Sequence, residues 1–250
     1  MKYQKYIDFV NKHKKEIYEA EEFIWSHPET GYNEWETSHY LENVFEKNGY
    51  ILHKANNIPG FYTDIDTGKK GPRVMILAEL DALAVPNHFA AVNGNAHACG
   101  HCAQCAAMVG IALALKEEGA LDGLSGSIRL VCVPAEEGIE LEKRNELRKK
   151  GIIHFLGGKD EFLYRGYFDG VDIAYMFHTG TNTATILDLH AGCNGCLMKD
   201  VTYYGVGAHA GSCPDLGINA LYAATLGLNA INALRETFKE DNHIRVHPII

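Results

Sequence analysis

Apolar residues recur at helical spacing in the first stretch of the chain. Tyr6, Ile7, Phe9, Val10, Ile17, Tyr18, Phe23 and Ile24 stand among charges over residues 3 to 25 and predict an amphipathic helix. His27-Pro28 breaks that pattern, and a second helix is expected over residues 33 to 47, closed by Asn48-Gly49. The spacing then changes to that of strands. Residues 60 to 67 and 73 to 79 flank a GKKGP turn, and RVMILAEL has the composition of a strand buried on both faces.

A loop rich in Pro, Asn and Gly follows over residues 84 to 95, then a helix from about Ala103 to Lys116 and the strand SIRLVCV over 127 to 133. Loops this long in a compact domain usually carry function. A charged helical segment over 140 to 150 and a mobile-looking FLGGKDEFLYRGY stretch lead to a strand over 171 to 177 that ends at His178. From Leu197 the composition shifts. MKDVTYYGVGAHAG alternates like a strand and finishes in a glycine-flanked His209, residues 217 to 238 read as helix, and HIRVHPII opens a further strand. The division expected is a catalytic domain over 1–196 and a second, incomplete domain over 197–250.

Strand and helix alternating in this way imply an α/β fold with a mostly parallel sheet flanked by helices, and such sheets gather their sites at the carboxyl ends of strands. Composition narrows the chemistry. The chain has 250 residues, 46% hydrophobic, a net charge of −9 and a pI near 5.8. With no long basic run, nucleic acid and anionic membrane are not expected as partners, and a small-molecule substrate is. Seven cysteines, an odd number, and a charged opening without an apolar export segment point to a reducing cytoplasm with free or metal-bound thiols.

The candidate chemistry centres on AHACGHCAQCAAMVG, residues 96 to 110. Thiolate and imidazole suit zinc or a similar divalent ion. His97, Cys99 and His101 alternate and would share one face of extended backbone, whereas Cys102 and Cys105 would line one side of a helix beginning near His101. Burial in an apolar core is the competing account, and the favoured one for Cys105. The Cys99, Cys102 and Cys105 spacing also suits an iron-sulfur cluster completed by Cys132, Cys193 or Cys196. At the predicted strand ends stand Asp81, the pair Glu136-Glu137 and His178. Adjacent acids there place a general base beside a metal ligand, since neighbours on extended backbone face opposite ways.

With these residues in place the chain resembles the aminoacylase and carboxypeptidase family of two-metal peptidases, and more narrowly its amidohydrolase branch. The resemblance rests on HPETGYNE at 27 to 34, AELDAL at 78 to 83, HACGH at 97 to 101, PAEEG at 134 to 138, FH at 177 to 178 and GAHAG at 207 to 211. It implies a zinc-peptidase-like catalytic domain with an inserted ferredoxin-like lid that also dimerises, and two zinc or manganese ions. Carried over by position, Cys99, His101, Glu137 and His178 become metal ligands, Glu136 the general base, Asp81 an orienting group, and His209 the lid histidine that stabilises the oxyanion. The activity implied is hydrolysis of an N-acyl or N-aroyl amino acid or a small peptide-like amide.

The chain departs from that branch at Cys102 and Gln104, where an aspartate and a histidine are common, and it stops where family members continue to a further metal-binding histidine. The expectation is therefore that the 250-residue chain alone binds metal less tightly than a complete homologue and hydrolyses amides poorly or not at all. The alternative is a truncated, catalytically impaired metal-binding or dimerisation protein of the same family.

Overall fold

In the computed structural model, residues 3–180, 187 and 195–249 are described. The chain divides into two compact units, Met1–Thr183 and Ala184–Ile250, a division earlier than the composition shift at Leu197.

The first unit carries the helices α1 (Gln4–Lys12), α2 (Lys14–Ser26), α3 (Trp35–Lys47), α4 (His101–Leu115), α5 (Leu141–Lys149) and α6 (Gly158–Tyr164). Its strands are β1 (His53–Lys54), β2 (Phe61–Asp66), β3 (Arg73–Glu79), β4 (Leu83–Ala84), β5 (Asn95–Ala96), β6 (Ser127–Val133) and β7 (Ile173–Met176). The main sheet runs β1-β2-β6-β3-β7. β3 pairs in parallel with β6 and β7, while β2 is antiparallel to β6 and to β1. The sheet is therefore mixed, with a parallel β6-β3-β7 core flanked by helices as expected and an antiparallel β1-β2 edge. A short connection from β1 into β2 allows an antiparallel pair, whereas the helical crossovers reaching β6 and β7 return the chain in one direction.

Alternation along the strands sorts the core into two layers. Ala78, Leu80, Leu130 and Cys132 face Ile24, Leu41, Phe45, Met108 and Val109 of α2, α3 and α4. Met75, Leu77, Val131 and Val133 face Ile153 and Phe162 on the other side. Each buried side chain of this size contributes roughly 1.5–3 kcal/mol, so both layers hold the strand ends in register. Helix α4 is buried on nearly every side, which is why its sequence shows little amphipathic contrast.

Several expectations are corrected. The helix over 3 to 25 is interrupted at His13, whose Nε2 lies 2.7 Å from Glu117 Oε1 beside the Lys12–Glu117 ion pair. The loop over 84 to 95 contains the small β4–β5 pair. The mobile-looking stretch contains α6, anchored by buried Phe162 and by Glu161, which accepts hydrogen bonds from the His154 and Phe155 amides. The shared face of His97, Cys99 and His101 is lost because Gly100 turns left-handed, with φ 86°, to start α4.

In the second unit, α7 (Ala220–Leu234) opens with Asn219 Oδ1 accepting from the Tyr222 amide at 3.1 Å. The strands expected over MKDVTYYGVGAHAG and HIRVHPII are not formed among the described residues. Val206 makes one bridge with Ile218, and alternation without a neighbouring ladder leaves a strand without its hydrogen bonds. No helix among the described residues is long and apolar enough to cross a membrane.

Candidate metal centre

The centre forms at the ends of β3, β6 and β7, where the turn into α4 meets them. Beyond β3, Asp81 is fully buried, and its Oδ2 accepts from the Glu137 amide at 2.8 Å. The main-chain oxygen of Asp81 lies 2.7 Å from His101 Nδ1. A carbonyl only accepts, so Nδ1 carries the proton and Nε2 presents the lone pair of the neutral ring. On the far side of the turn, Thr179 Oγ1 donates to Cys99 O at 2.7 Å, and Cys99 Sγ lies 3.5 Å from His178 Nε2. A side chain at Gly100 would strike Thr179, so glycine there serves both the left-handed turn and the close approach of the segment that follows β7. The rings of His101 and His178 meet edge to face with centroids 5.6 Å apart.

Two donor groups share His101. Ligand atoms of Cys99, His101 and His178 lie within 4.8 Å of one another, as do those of Glu79, His101 and Glu136. Glu137 faces the first group: burial, and then the Glu137 carboxylate, push the Cys99 thiol up to about 12. Burial also raises the Glu136 carboxyl, helped by the nearby negative charge of Glu79. Burial would depress the His101 imidazole, but the neighbouring Asp81 and Glu79 carboxylates override it and lift the ring to about 10. Glu79 responds in the opposite sense. Against its burial, the adjacent His101 imidazole and the charge of Lys159 hold it at about 2.

The fit to a divalent ion is read from atoms the protein leaves unsatisfied. Asp81 Oδ1, His101 Nε2 and Glu137 Oε1 are buried without a hydrogen-bond partner. His101 Nε2 lies 3.1 Å from Glu79 Oε2, close but not aligned as a hydrogen bond. Buried acceptors without donors are costly, and a cation satisfies them. Sulfur, imidazole and carboxylate together form a donor set that suits a divalent transition-metal ion.

The structure thus brings Cys99, His101, Glu137, His178, Asp81 and Glu136 to one place. His209 belongs to the second unit, where its Nδ1 accepts from the Gly211 and Ser212 amides, each at 3.1 Å. Cys102 points toward Glu21, at 3.8 Å, and Cys105 donates to Glu79 O from the core, so neither joins Cys99 in the cluster that an iron-sulfur centre requires. Cys132 is likewise buried in the core, and Cys193 lies outside the described residues.

Two residues of the centre are not among those the sequence singles out. Glu79 carried a signal, because an acid inside a buried strand needs a partner. Lys159 carried none, being one lysine in a glycine-rich stretch. Gln104, noted only as a departure, binds the strand ends together: its Oε1 accepts from the Glu79 amide at 2.6 Å, and its Nε2 donates to Phe177 O at 2.7 Å.

Comparison with known proteins agrees with this architecture. One subunit of the p-aminobenzoyl-glutamate hydrolase of Escherichia coli is 30% identical over 239 residues, covering 90% of this chain and 44% of that protein. The Xaa-Arg dipeptidase of Homo sapiens is 30% identical over 247 residues, covering 91% and 48%. The chain therefore spans about half the length of the curated relatives it matches. Among solved structures, a dinuclear metal-binding peptidase of the M20 family from Bacillus subtilis superposes with a TM-score of 0.55 at 24% identity, covering 68% of this chain and 44% of that one. At that identity the likeness speaks to the fold. Residues 74–243 match Peptidase family M20/M25/M40, and with its strand-end donors in place the chain belongs to that family.

Proposed function

We propose that this chain carries the metal site and general base of an amidohydrolase that cleaves the amide bond of an N-acyl or N-aroyl amino acid or a small peptide-like amide. The observation that carries the reading is the convergence of the unsatisfied buried atoms of His101, Glu137 and Asp81 beside Cys99 and His178. Zinc or manganese is the expected ion, and Cys99, His101, Glu137 and His178 would hold it. When bound, the ion supplies Lewis-acid polarisation of the amide carbonyl and acidifies water.

The remaining work falls to the protein. Asp81 fixes the tautomer of His101 through its main-chain oxygen and the position of Glu137 through its carboxylate. Glu136, partly exposed beside this group and with its carboxyl pKa raised by burial, accepts a proton from water and delivers it to the leaving nitrogen. His209 is assigned to the oxyanion. The amide class is supported by the E. coli relative, named for an aroyl-glutamate. Because the relatives are named as hydrolases and dipeptidases, the catalytic reading is preferred to a non-catalytic metal-binding protein. A homodimer formed through the second unit, and residence in a reducing cytoplasm, complete the proposal.

The test is Glu136→Gln assayed on acyl- and aroyl-amino acids together with metal content. Lost turnover with bound metal unchanged supports the assignment, and unchanged turnover removes Glu136 from it.

A further inference from the structure

The segment over 28–34 contains none of the proposed ligands, yet it braces three of the stretches that carry the centre. Asn95 Nδ2, two residues before His97, donates to Pro28 O at 3.3 Å. The Ala82 amide, next to Asp81, donates to Glu29 O at 2.7 Å. The Ala135 amide, next to Glu136, donates to Glu34 Oε1 at 2.7 Å. The Glu29 carboxylate ties the segment to α3 by accepting from the Glu36 and Thr37 amides at 3.1 and 2.9 Å.

Ala135 is where this brace bears hardest. Its φ is 55°, a left-handed conformation that residues with a side chain avoid. Its N–H is held by Glu34, and its carbonyl accepts from the Gly158 amide at 3.0 Å and from Arg144 Nη1 at 3.4 Å. A Cβ at Gly31 would strike the Arg144 guanidinium and crowd Ala135, so glycine there lets the segment close on the turn. The grip is costly. Glu34 is fully buried with Oε2 unpartnered, and fully buried Arg144 leaves Nε and Nη2 unpartnered. Costs of this kind gather where a geometry is held for function.

The two acids that follow Ala135 meet different surroundings: the Glu136 side chain is partly exposed, whereas Glu137 Oε1 is buried. We infer that Glu34 is a positioning residue for the hydrolysis: by holding the Ala135 amide it fixes the left-handed step that sends Glu136 toward solvent and Glu137 inward to the ligand group. This rests on the metal-site and general-base reading proposed above. What Glu34 supplies is a hydrogen-bond acceptor at one place, and a glutamine carbonyl supplies the same.

The test compares the full chain with Glu34→Ala, Glu34→Met and Glu34→Gln, with folding checked by circular dichroism; should the alanine variant not fold, Glu34→Met, which fills the same space without an acceptor, decides. Amide exchange followed by NMR on the metal-free proteins comes first. Losing the acceptor should speed exchange at Glu137 and Gly158, whose amides bond elsewhere, by at least about tenfold, while Leu130 and Val131 in β6 keep the parent rates. Zinc titration should then show affinity about tenfold weaker, the scale of a group that orients a ligand. With metal saturating, kcat on an aroyl-amino acid should fall about 100-fold with KM little changed, as for a misplaced catalytic group. Glu34→Gln should restore all three readouts. Exchange that is unmoved at the turn, or raised equally along β6, overturns the inference, and so does a glutamine variant that behaves as the methionine one. A parent that binds no zinc overturns the metal reading instead, with the exchange rates still deciding whether Glu34 holds the turn.

Discussion

The two donor groups that meet at His101 differ in material and in what the protein has already given them. On one side Cys99 and His178 offer sulfur and imidazole from a loop and a strand end, and His178 stays exposed. On the other, Glu79 is sealed in the interior and held by Lys159 and Gln104, with only Glu136 open to solvent. Buried charge is tolerated where it is partnered, so the Glu79 side is stable without an ion, and the cysteine side is the one left asking for it.

The largest effect that sharpens this contrast is catalytic. Glu136→Gln should lower kcat about 10³-fold, the scale of a positioned general base, with bound metal unchanged by elemental analysis. Next come the ligands. Cys99→Ser and His178→Ala should each weaken metal binding by about 100-fold in titration, whereas Gln104→Ala, which contacts Glu79 and Phe177 O but none of the proposed ligands, should weaken it by about tenfold or less. Equal losses in all three would erase the distinction between the two sides.

A smaller effect concerns pH. In the metal-free chain the folded His101 pKa is near 10 against an ordinary 6.5, so its contribution is complete below 6.5 and is lost as pH rises through 10. Chemical denaturation of the chelated protein should show stability falling by on the order of 2 kcal/mol over that interval, and His101→Gln should flatten the fall. If His101 and Cys99 ligate as proposed, the ion must displace their protons, and metal affinity should rise with pH.

The smallest effect is at Glu34, fully buried, with Oε1 accepting from the Ala135 amide at 2.7 Å. Burial, and then the charge of Asp81, raise its carboxyl well above 4.5. The unfolded chain therefore releases that proton first, and stability declines as pH climbs above 4.5. Glu34→Gln should remove that decline at a cost of about 1 kcal/mol or less, measured by denaturation at pH 5 and pH 8.

Much of this was legible in the chain. RVMILAEL and SIRLVCV announced the central strands because burial on both faces leaves an uninterrupted apolar run, and the acids and histidine at their ends marked the site. The break at His13 was not legible, since its contact to Glu117 joins residues 104 apart. Nor was Lys159, whose placement depends on the close approach of Gly158 to the Pro134 carbonyl. The alternation over MKDVTYYGVGAHAG misled because period-two patterning states which way side chains would point, not whether a neighbouring strand is there to pair.

The most direct test of the metal centre is X-ray absorption of the full chain loaded with one equivalent of zinc. One sulfur scatterer at about 2.3 Å with nitrogen and oxygen neighbours at about 2.0–2.1 Å is the predicted shell, and Cys99→Ser should remove the sulfur alone. A shell of oxygen and nitrogen without sulfur in the unmodified chain would place the ion among the carboxylates and contradict the account.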